Sequence, residues 1–231
     1  MPPVTTAIGA LTTAELQGLS VTQASALTTT QFSNLTTTVL NRLSTTQVSA
    51  LAPDQAQSLT TGQLNGLSQA NLDALDVTLL TTTQVNGFDA AAINNLSTTQ
   101  LSALTADQVG ALIEAQVTGI TTSQYAVLPT TQLTALTTTQ IPWLATAAIS
   151  NLPTTSIAAL TASQIGAFTT DQVRALTTDQ LPALSTDTVA GLSTTDIGAF
   201  TTTQLQAFST DQVQALTTDQ VVALTSDQLN G

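Results

Sequence analysis

Residues 216–231 read Leu-Thr-Thr-Asp-Gln-Val-Val-Ala and then Leu-Thr-Ser-Asp-Gln-Leu-Asn-Gly, which are two copies of one eight-residue unit. Large apolar residues recur at the same spacing back along nearly the whole chain, and only residues 75–79 interrupt the register. Counted from the leucine as position 1, nine repeats fill residues 3–74 and nineteen fill residues 80–231. A fixed short period of this kind is typical of a solenoid. We therefore expect a single solenoid over residues 1–231, with a five-residue insert at 75–79.

Positions 2 and 5 of the repeat carry the signal of a helix start. Position 2 is Ser, Thr or Asp in 22 of the 28 repeats and position 5 is Gln or Glu in 20. Most repeats thus contain a capping box, in which each side chain binds the backbone N–H of the other residue. A period of eight cannot stay on one face of a continuous helix with 3.6 residues per turn. The pattern predicts an all-α solenoid with one short helix per repeat.

The apolar positions predict how the repeats pack. Positions 1 and 6 are the two partners of a hydrophobic staple. Burying two such side chains yields about 3–6 kcal/mol, whereas ordering eight residues costs about 12 kcal/mol. One repeat cannot fold alone, so neighbouring helices must bury positions 1 and 6 against one another. The mostly small residues at position 8 would permit close approach, and position 7 would face solvent.

Proline placement is consistent with interrupted helices. Pro53 falls on the first helical residue, and Pro129 and Pro153 fall on the residue before it, where proline is tolerated. Pro142 and Pro182 fall at position 7 and would each remove an intrahelical hydrogen bond. We expect those two repeats to form single 3₁₀ turns.

The alternative architecture is a β-solenoid, because Thr and Val favour strands and three repeats could make one coil. A strand needs alternation with period two, but positions 1 and 6 have opposite parity. Gln at position 5 would also have no role in a strand. The helical interpretation is favoured, and the β-solenoid stays the alternative.

The composition excludes several function classes. Only two cations, Arg42 and Arg174, oppose fourteen acidic residues, for a net charge of −12. Binding to nucleic acid relies on Lys and Arg, so nucleic acid is not an expected partner. Apolar runs fall far short of the 20 or so residues that a membrane helix needs, so we expect no membrane insertion. His, Cys and Lys are absent, which removes nucleophilic triads and zinc sites. We expect neither an enzyme nor a cofactor.

An acidic ladder at position 4 is the most site-like feature of the sequence. In the second helical residue, Asp interacts favourably with the helix dipole, so surface decoration is the leading interpretation. Calcium binding is the alternative, although one carboxylate per repeat supplies few of the six to eight oxygen ligands that Ca²⁺ takes. The ladder comprises Asp107 and the six calcium candidates Asp171, Asp179, Asp187, Asp211, Asp219 and Asp227.

Three single residues stand out from the repeat. Tyr125 and Trp143 are the only residues of their types. A core-filling or stapling role is favoured for both over a ligand platform. Arg42 lies in the small-residue column at position 8, where we expect a solvated guanidinium over a buried stem.

Tandem units such as LTTDQVVALTSDQLNG, residues 216–231, resemble the Thr-rich repeat regions of large secreted bacterial surface, adhesin or fibre-forming proteins. The resemblance implies an extracellular or cell-surface rod, spacer or filament subunit. The alternative function is a binding module that presents a solenoid face to a protein or glycan. No signal peptide begins the sequence. Repeats run to both ends without capping units, so we expect either flanking domains of a longer chain or head-to-tail self-stacking.

Overall fold

A computed structural model describes residues 12–230. Across those residues the chain forms 25 short α-helices and three 3₁₀ turns, with no β-strand. The all-α prediction is confirmed and the β-solenoid alternative is wrong. The chain divides into two compact units between Ala111 and Leu112, which we describe separately. That a single solenoid spans residues 1–231 stays a prediction.

Unit 1 contains twelve α-helices within its described residues, 12–111. In chain order, α1 to α12 are Thr13–Gln17, Val21–Ser25, Thr29–Ser33, Thr37–Leu40, Thr45–Ser49, Pro53–Ser58, Thr61–Asn65, Gln69–Ala74, Thr82–Asn86, Ala90–Asn95, Thr98–Ala103 and Ala106–Gly110. A 3₁₀ turn at Val77–Leu79 lies between α8 and α9.

Unit 2 contains thirteen α-helices within residues 112–230. In chain order, α13 to α25 are Glu114–Gly119, Thr122–Val127, Thr130–Ala135, Thr146–Asn151, Thr154–Ala159, Ala162–Ile165, Thr170–Ala175, Thr186–Gly191, Thr194–Ala199, Thr202–Gln206, Thr210–Gln214, Thr218–Val222 and Ser226–Asn230. Two further 3₁₀ turns are Ile141–Trp143 and Leu181–Ala183.

Each helix begins at the predicted residue, and α24 is representative. The Thr217 side chain accepts from the backbone N–H of Gln220, and the Gln220 side chain accepts from the backbone N–H of Thr217 at 2.8 Å. Thr217 has extended backbone angles, φ −74° and ψ 160°. The first helical residue is therefore position 3 of the repeat. Most helices end at position 7 or 8, while α4 and α18 end at position 6. The next position-1 residue turns the chain back, as extended Leu176 does after α19.

The proline predictions are confirmed. Pro53 is the first residue of α6, and Pro129 and Pro153 directly precede α15 and α17. The repeats with Pro142 and Pro182 contain 3₁₀ turns in place of α-helices, because proline removes a donor that the second helical turn needs.

Positions 1 and 6 form the core, as predicted. Val173 at position 6 and Leu176 at position 1 are 0% and 3% exposed. Within each unit the helices stack at an interval of three repeats: α5 contacts α8, and α16 contacts α19. The chain therefore coils back onto itself after three to four repeats. We call that stretch a superhelical turn.

Residues 75–79 act as a shortened repeat. Leu75 and Val77 are buried like residues at positions 1 and 6. Asp76 caps the 3₁₀ turn that begins at Val77 by accepting from the Thr78 N–H at 3.0 Å. The five-residue insert that the sequence pattern predicted is therefore a repeat that lacks positions 3 to 5. It keeps both core side chains and loses the Gln position.

Candidate functional site

Gln at position 5 is the residue that joins one superhelical turn to the next. The Oε1 of Gln164 accepts from the backbone N–H of Thr161 at 3.0 Å, which is the capping box. Its Nε2 donates to the backbone carbonyls of Leu133 and Leu136 at 3.1 and 2.8 Å. Both carbonyls belong to the C-terminal end of a helix in the preceding turn. One amide therefore caps its own helix at the N-terminus and another helix at the C-terminus, where carbonyls otherwise lack partners.

We call these inter-turn hydrogen bonds a Gln bridge. Each bridge reaches residues 31 and 28 positions earlier, which are a position-6 and a position-1 residue, unless the shortened repeat intervenes. Gln84 then reaches Ala56 and Leu59, 28 and 25 positions earlier. These separations are each three residues shorter than usual, because residues 75–79 contain three residues fewer than a full repeat of eight. Bridges within unit 1 come from Gln47, Gln55, Gln63, Gln84, Gln100 and Gln108.

Unit 2 contains the same bridges, and their geometry is regular. Gln172 donates to Ile141 and Leu144 at 2.8 and 2.7 Å, and its side chain is 1% exposed. Burying an amide is costly unless its hydrogen bonds are made, and here they are made on both sides. Bridges within unit 2 come from Gln140, Gln164, Gln172, Gln180, Gln204, Gln212, Gln220 and Gln228.

Tyr125 fills a gap in this series. The bridge to Val117 would come from position 148, but that residue is the buried Ala148. The hydroxyl of Tyr125 instead donates to the Val117 carbonyl at 2.8 Å. The tyrosine is 1% exposed, and burial raises the pKa of its hydroxyl. The predicted core role of Tyr125 is confirmed, and the hydroxyl adds a hydrogen bond that the sequence did not predict.

A second amide contact is made from position 7 in unit 1. Asn41 Nδ2 donates to the Gly66 carbonyl at 2.8 Å, and its Oδ1 accepts from the Ser68 N–H at 2.7 Å. Asn65 makes the equivalent pair with Gly87 and Asp89. The expectation that position 7 faces solvent is therefore wrong at these residues. An asparagine there spans the junction between two helices of the following turn.

Position 8 lies against the preceding turn, which explains its small side chains. A Cβ added to Gly87 would lie 2.2 Å from Thr61 Cγ2, and one added to Gly66 would lie 2.5 Å from Thr37 Cγ2. Both threonines are at position 3 of a repeat in the preceding turn. The predicted close approach at position 8 is confirmed for these glycines.

The predicted acidic candidates lie on the surface. Asp107, Asp171, Asp179, Asp187, Asp211, Asp219 and Asp227 are all exposed. Within residues 12–230 no three potential metal-ligating side chains come together. Their roles, as decoration or as calcium ligands, stay predictions.

Trp143 and Arg42 are both half-buried. Trp143 ends the 3₁₀ turn that begins at Ile141. Arg174, the other cation, is exposed, and its Nε donates to the Ala199 carbonyl at 3.3 Å in the following turn. In the part of the chain that the structure describes, no helix is long and apolar enough to cross a membrane.

Comparison with protein families identifies one related repeat. The model of the ALTTAQ repeat family matches residues 167–194 and 189–226. The six letters of that name correspond to position 8 of one unit followed by positions 1 to 5 of the next. Residues 215–220 read Ala-Leu-Thr-Thr-Asp-Gln and differ from the name only in having Asp at position 4. No curated protein matches the chain. The six-letter motif ends on the Gln that forms the bridge, so it contains the helix start and the inter-turn donor together.

Proposed function

We propose that this chain is a non-enzymatic structural protein, an extracellular or cell-surface rod, spacer or filament subunit. The Gln bridge is the observation that carries the proposal. Gln164 and Gln172 each use their full amide to hold two turns together. The recurring residues thus serve stacking, and the positions left at the surface carry mostly Thr, Ser and Asp.

Self-stacking is the second part of the proposal. Position-6 side chains are covered by the following turn, as at Val189, which is 0% exposed. In the turn formed by residues 205–230 the same position stays open: Val213, Val221 and Leu229 are 50%, 43% and 61% exposed. A turn of a second copy would cover these three side chains just as turns within the chain cover one another.

The opposite face of the repeat supplies matching donors. Gln23 and Gln31 accept from the N–H groups of Ser20 and Thr28, both at 2.8 Å. Their Nε2 groups have no acceptor among residues 12–230, unlike the amides of the Gln bridges. The carbonyls of Val213 and Val221 are of the type that such amides bind. Head-to-tail contacts between copies build open filaments unless the rotation closes.

The experiment is electron microscopy and light scattering on the purified 231-residue chain over a concentration series. We expect lengthening particles, and we expect Val213→Asp with Val221→Asp to abolish them. Gln214→Asp, on an exposed residue of the same helix as Val213, is the control and should leave assembly intact. A monomer at every concentration would overturn self-stacking. Antibody labelling of intact source cells tests the location, and a signal confined to permeabilised cells would contradict it.

A further inference from the structure

Two adjacent repeats of unit 2 lack the Gln bridge. Position 5 is Thr188 in one and Asp196 in the next, and both side chains are buried. Thr188 Oγ1 pairs with Ser185 Oγ at 2.9 Å. Asp196 Oδ2 accepts from the Ser193 N–H and hydroxyl at 3.1 and 2.6 Å. Asp196 thus caps its own helix, whereas Thr188 contacts only the serine that caps its helix. Among residues 12–230, neither side chain forms a hydrogen bond with the preceding turn.

The carbonyls that these bridges would reach follow from the register. They belong to residues 31 and 28 positions earlier: Ile157 and Leu160 for Thr188, and Ile165 and Phe168 for Asp196. Within residues 12–230, no side chain donates to any of the four. Three bridged repeats precede this pair, from Gln164 to Gln180, and bridges resume at Gln204. We call the contact between residues 157–168 and residues 185–199 the unbridged junction.

The other gap of two repeats, at Ala148 and Ser156, differs in one respect. There the Tyr125 hydroxyl donates to Val117, the first of its four carbonyls, from within the same turn. At the unbridged junction the nearest side-chain tie is Arg174 to Ala199 at 3.3 Å, and it lies on an exposed residue. Apolar contact is therefore the main force that closes this junction.

We propose that the unbridged junction is a built-in joint at which unit 2 opens before its Gln-bridged turns. Every described hydrogen bond between turns involves a side chain, since the backbone bonds of the turns and caps join residues three or four apart. A solenoid is held by nearest-neighbour contacts, so a contact without Gln bridges opens before the bridged ones. The joint would let a rod extend locally while the Gln-bridged turns on either side stay closed. This inference does not depend on where the protein acts or on whether it self-associates.

Thiol labelling tests the joint directly, because the chain has no cysteine. Ile165 and Ile149 are both position-6 residues with 0% exposure. The first is covered by the unbridged turn, and the second lies against the turn bridged by Gln180. We expect Ile165→Cys to react about tenfold or more faster than Ile149→Cys, since each lost hydrogen bond shifts an opening equilibrium several-fold. Circular dichroism checks that both variants are folded.

Restoring the bridge supplies the decisive control. Thr188→Gln with Asp196→Gln, added to Ile165→Cys, should slow labelling to the Ile149→Cys rate. In the unsubstituted chain, hydrogen exchange should be faster at the Ile165–Phe168 amides than at those of Ile149–Leu152, so the idea is tested even if a cysteine variant misfolds. Equal rates at the two positions, or no slowing when glutamine is restored, would overturn the joint.

Discussion

The Tyr125 hydroxyl lies 2.8 Å from the carbonyl oxygen of Val117, one repeat earlier. It supplies the donor that Ala148 cannot, and helix α14, which contains Tyr125, contacts α16, which contains Ala148. Tyr125→Phe should lower the free energy of unfolding by about 1–2 kcal/mol, because a buried carbonyl loses its partner. Chemical denaturation measures the change, and an unchanged midpoint would contradict this role of the hydroxyl.

The pair Tyr125 and Ala148 should also be energetically coupled. Tyr125→Leu alone opens a cavity, and Ala148→Gln alone crowds the tyrosine, so each should destabilise by about 1–4 kcal/mol. Together they recreate the common arrangement of Leu at position 6 and Gln at position 5. A double-mutant cycle should therefore show the double variant more stable than the sum of the single changes predicts. Simple additivity would show that the two positions act independently.

The two roles of a bridging glutamine can be separated at Gln172. Gln172→Glu keeps an oxygen for the Thr169 N–H, which now lies 2.9 Å from Oε1, but it loses the donor to Ile141 and Leu144. We expect a loss of about 2–4 kcal/mol from two hydrogen bonds and a carboxylate buried beside carbonyls. The matched control is Asp171→Asn, an exposed neighbour, which should change stability by less than about 0.5 kcal/mol. If Gln172→Glu left the stability unchanged, the hydrogen bonds from Gln172 to the preceding turn would contribute nothing to it.

The sequence predicted one half of that residue's role. Thr169 and Gln172 form a capping box because they are three residues apart, so the helix start is visible locally. The bond from Gln172 to Ile141 spans 31 residues, and it exists only because three to four repeats complete a superhelical turn. That number depends on how helices stack, which no single repeat encodes. The Tyr125 contact was missed for the same reason, since it replaces a bridge from position 148.

The orientation of the repeat positions toward the core or toward solvent can be tested by substituting one buried and one exposed residue. Leu176 is 3% exposed at position 1, whereas Gln214 is exposed at position 7. Leu176→Asp should cost several kcal/mol, because it places a carboxylate in the core. Gln214→Asp should stay within about 0.5 kcal/mol. Thermal unfolding, monitored by circular dichroism, compares the stability of the two variants. Similar losses of stability would show that position 1 does not face the core or that position 7 does not face solvent.

Glu15 should make the start of unit 1 sensitive to acid. Its carboxylate accepts from the Thr12 backbone N–H and hydroxyl, both at 2.8 Å, and the backbone hydrogen bond, followed by the hydroxyl, lowers the pKa of Glu15 from its usual 4.5. Because the folded-state pKa is the lower one, the carboxylate stabilises α1 above pH 4.5 and loses that effect as pH falls through the folded value. An NMR titration of Glu15 should give a pKa below 4.5. Glu15→Gln should remove the acid dependence of α1, and a normal pKa would refute the cap.

Two glycines of unit 1 should respond in opposite directions to the same substitution. Gly62, the second residue of α7, has no atom within 4 Å of an added Cβ, so Gly62→Ala should stabilise the protein by about 0.5–1 kcal/mol. Gly87→Ala would place its Cβ 2.2 Å from Thr61 Cγ2. Threonine is stiff at χ1, so the turns must separate there, at a cost of about 1–3 kcal/mol.

The clash at Gly87 should be relieved by its partner. Thr61→Ser removes the Cγ2 atom that the added Cβ would meet, so Gly87→Ala with Thr61→Ser should regain most of the stability that Gly87→Ala loses. Denaturation midpoints of the single and double variants measure the recovery. If Gly87→Ala stabilised the protein as Gly62→Ala should, then position 8 would not be the point of closest approach between turns, and its small side chains would need another explanation.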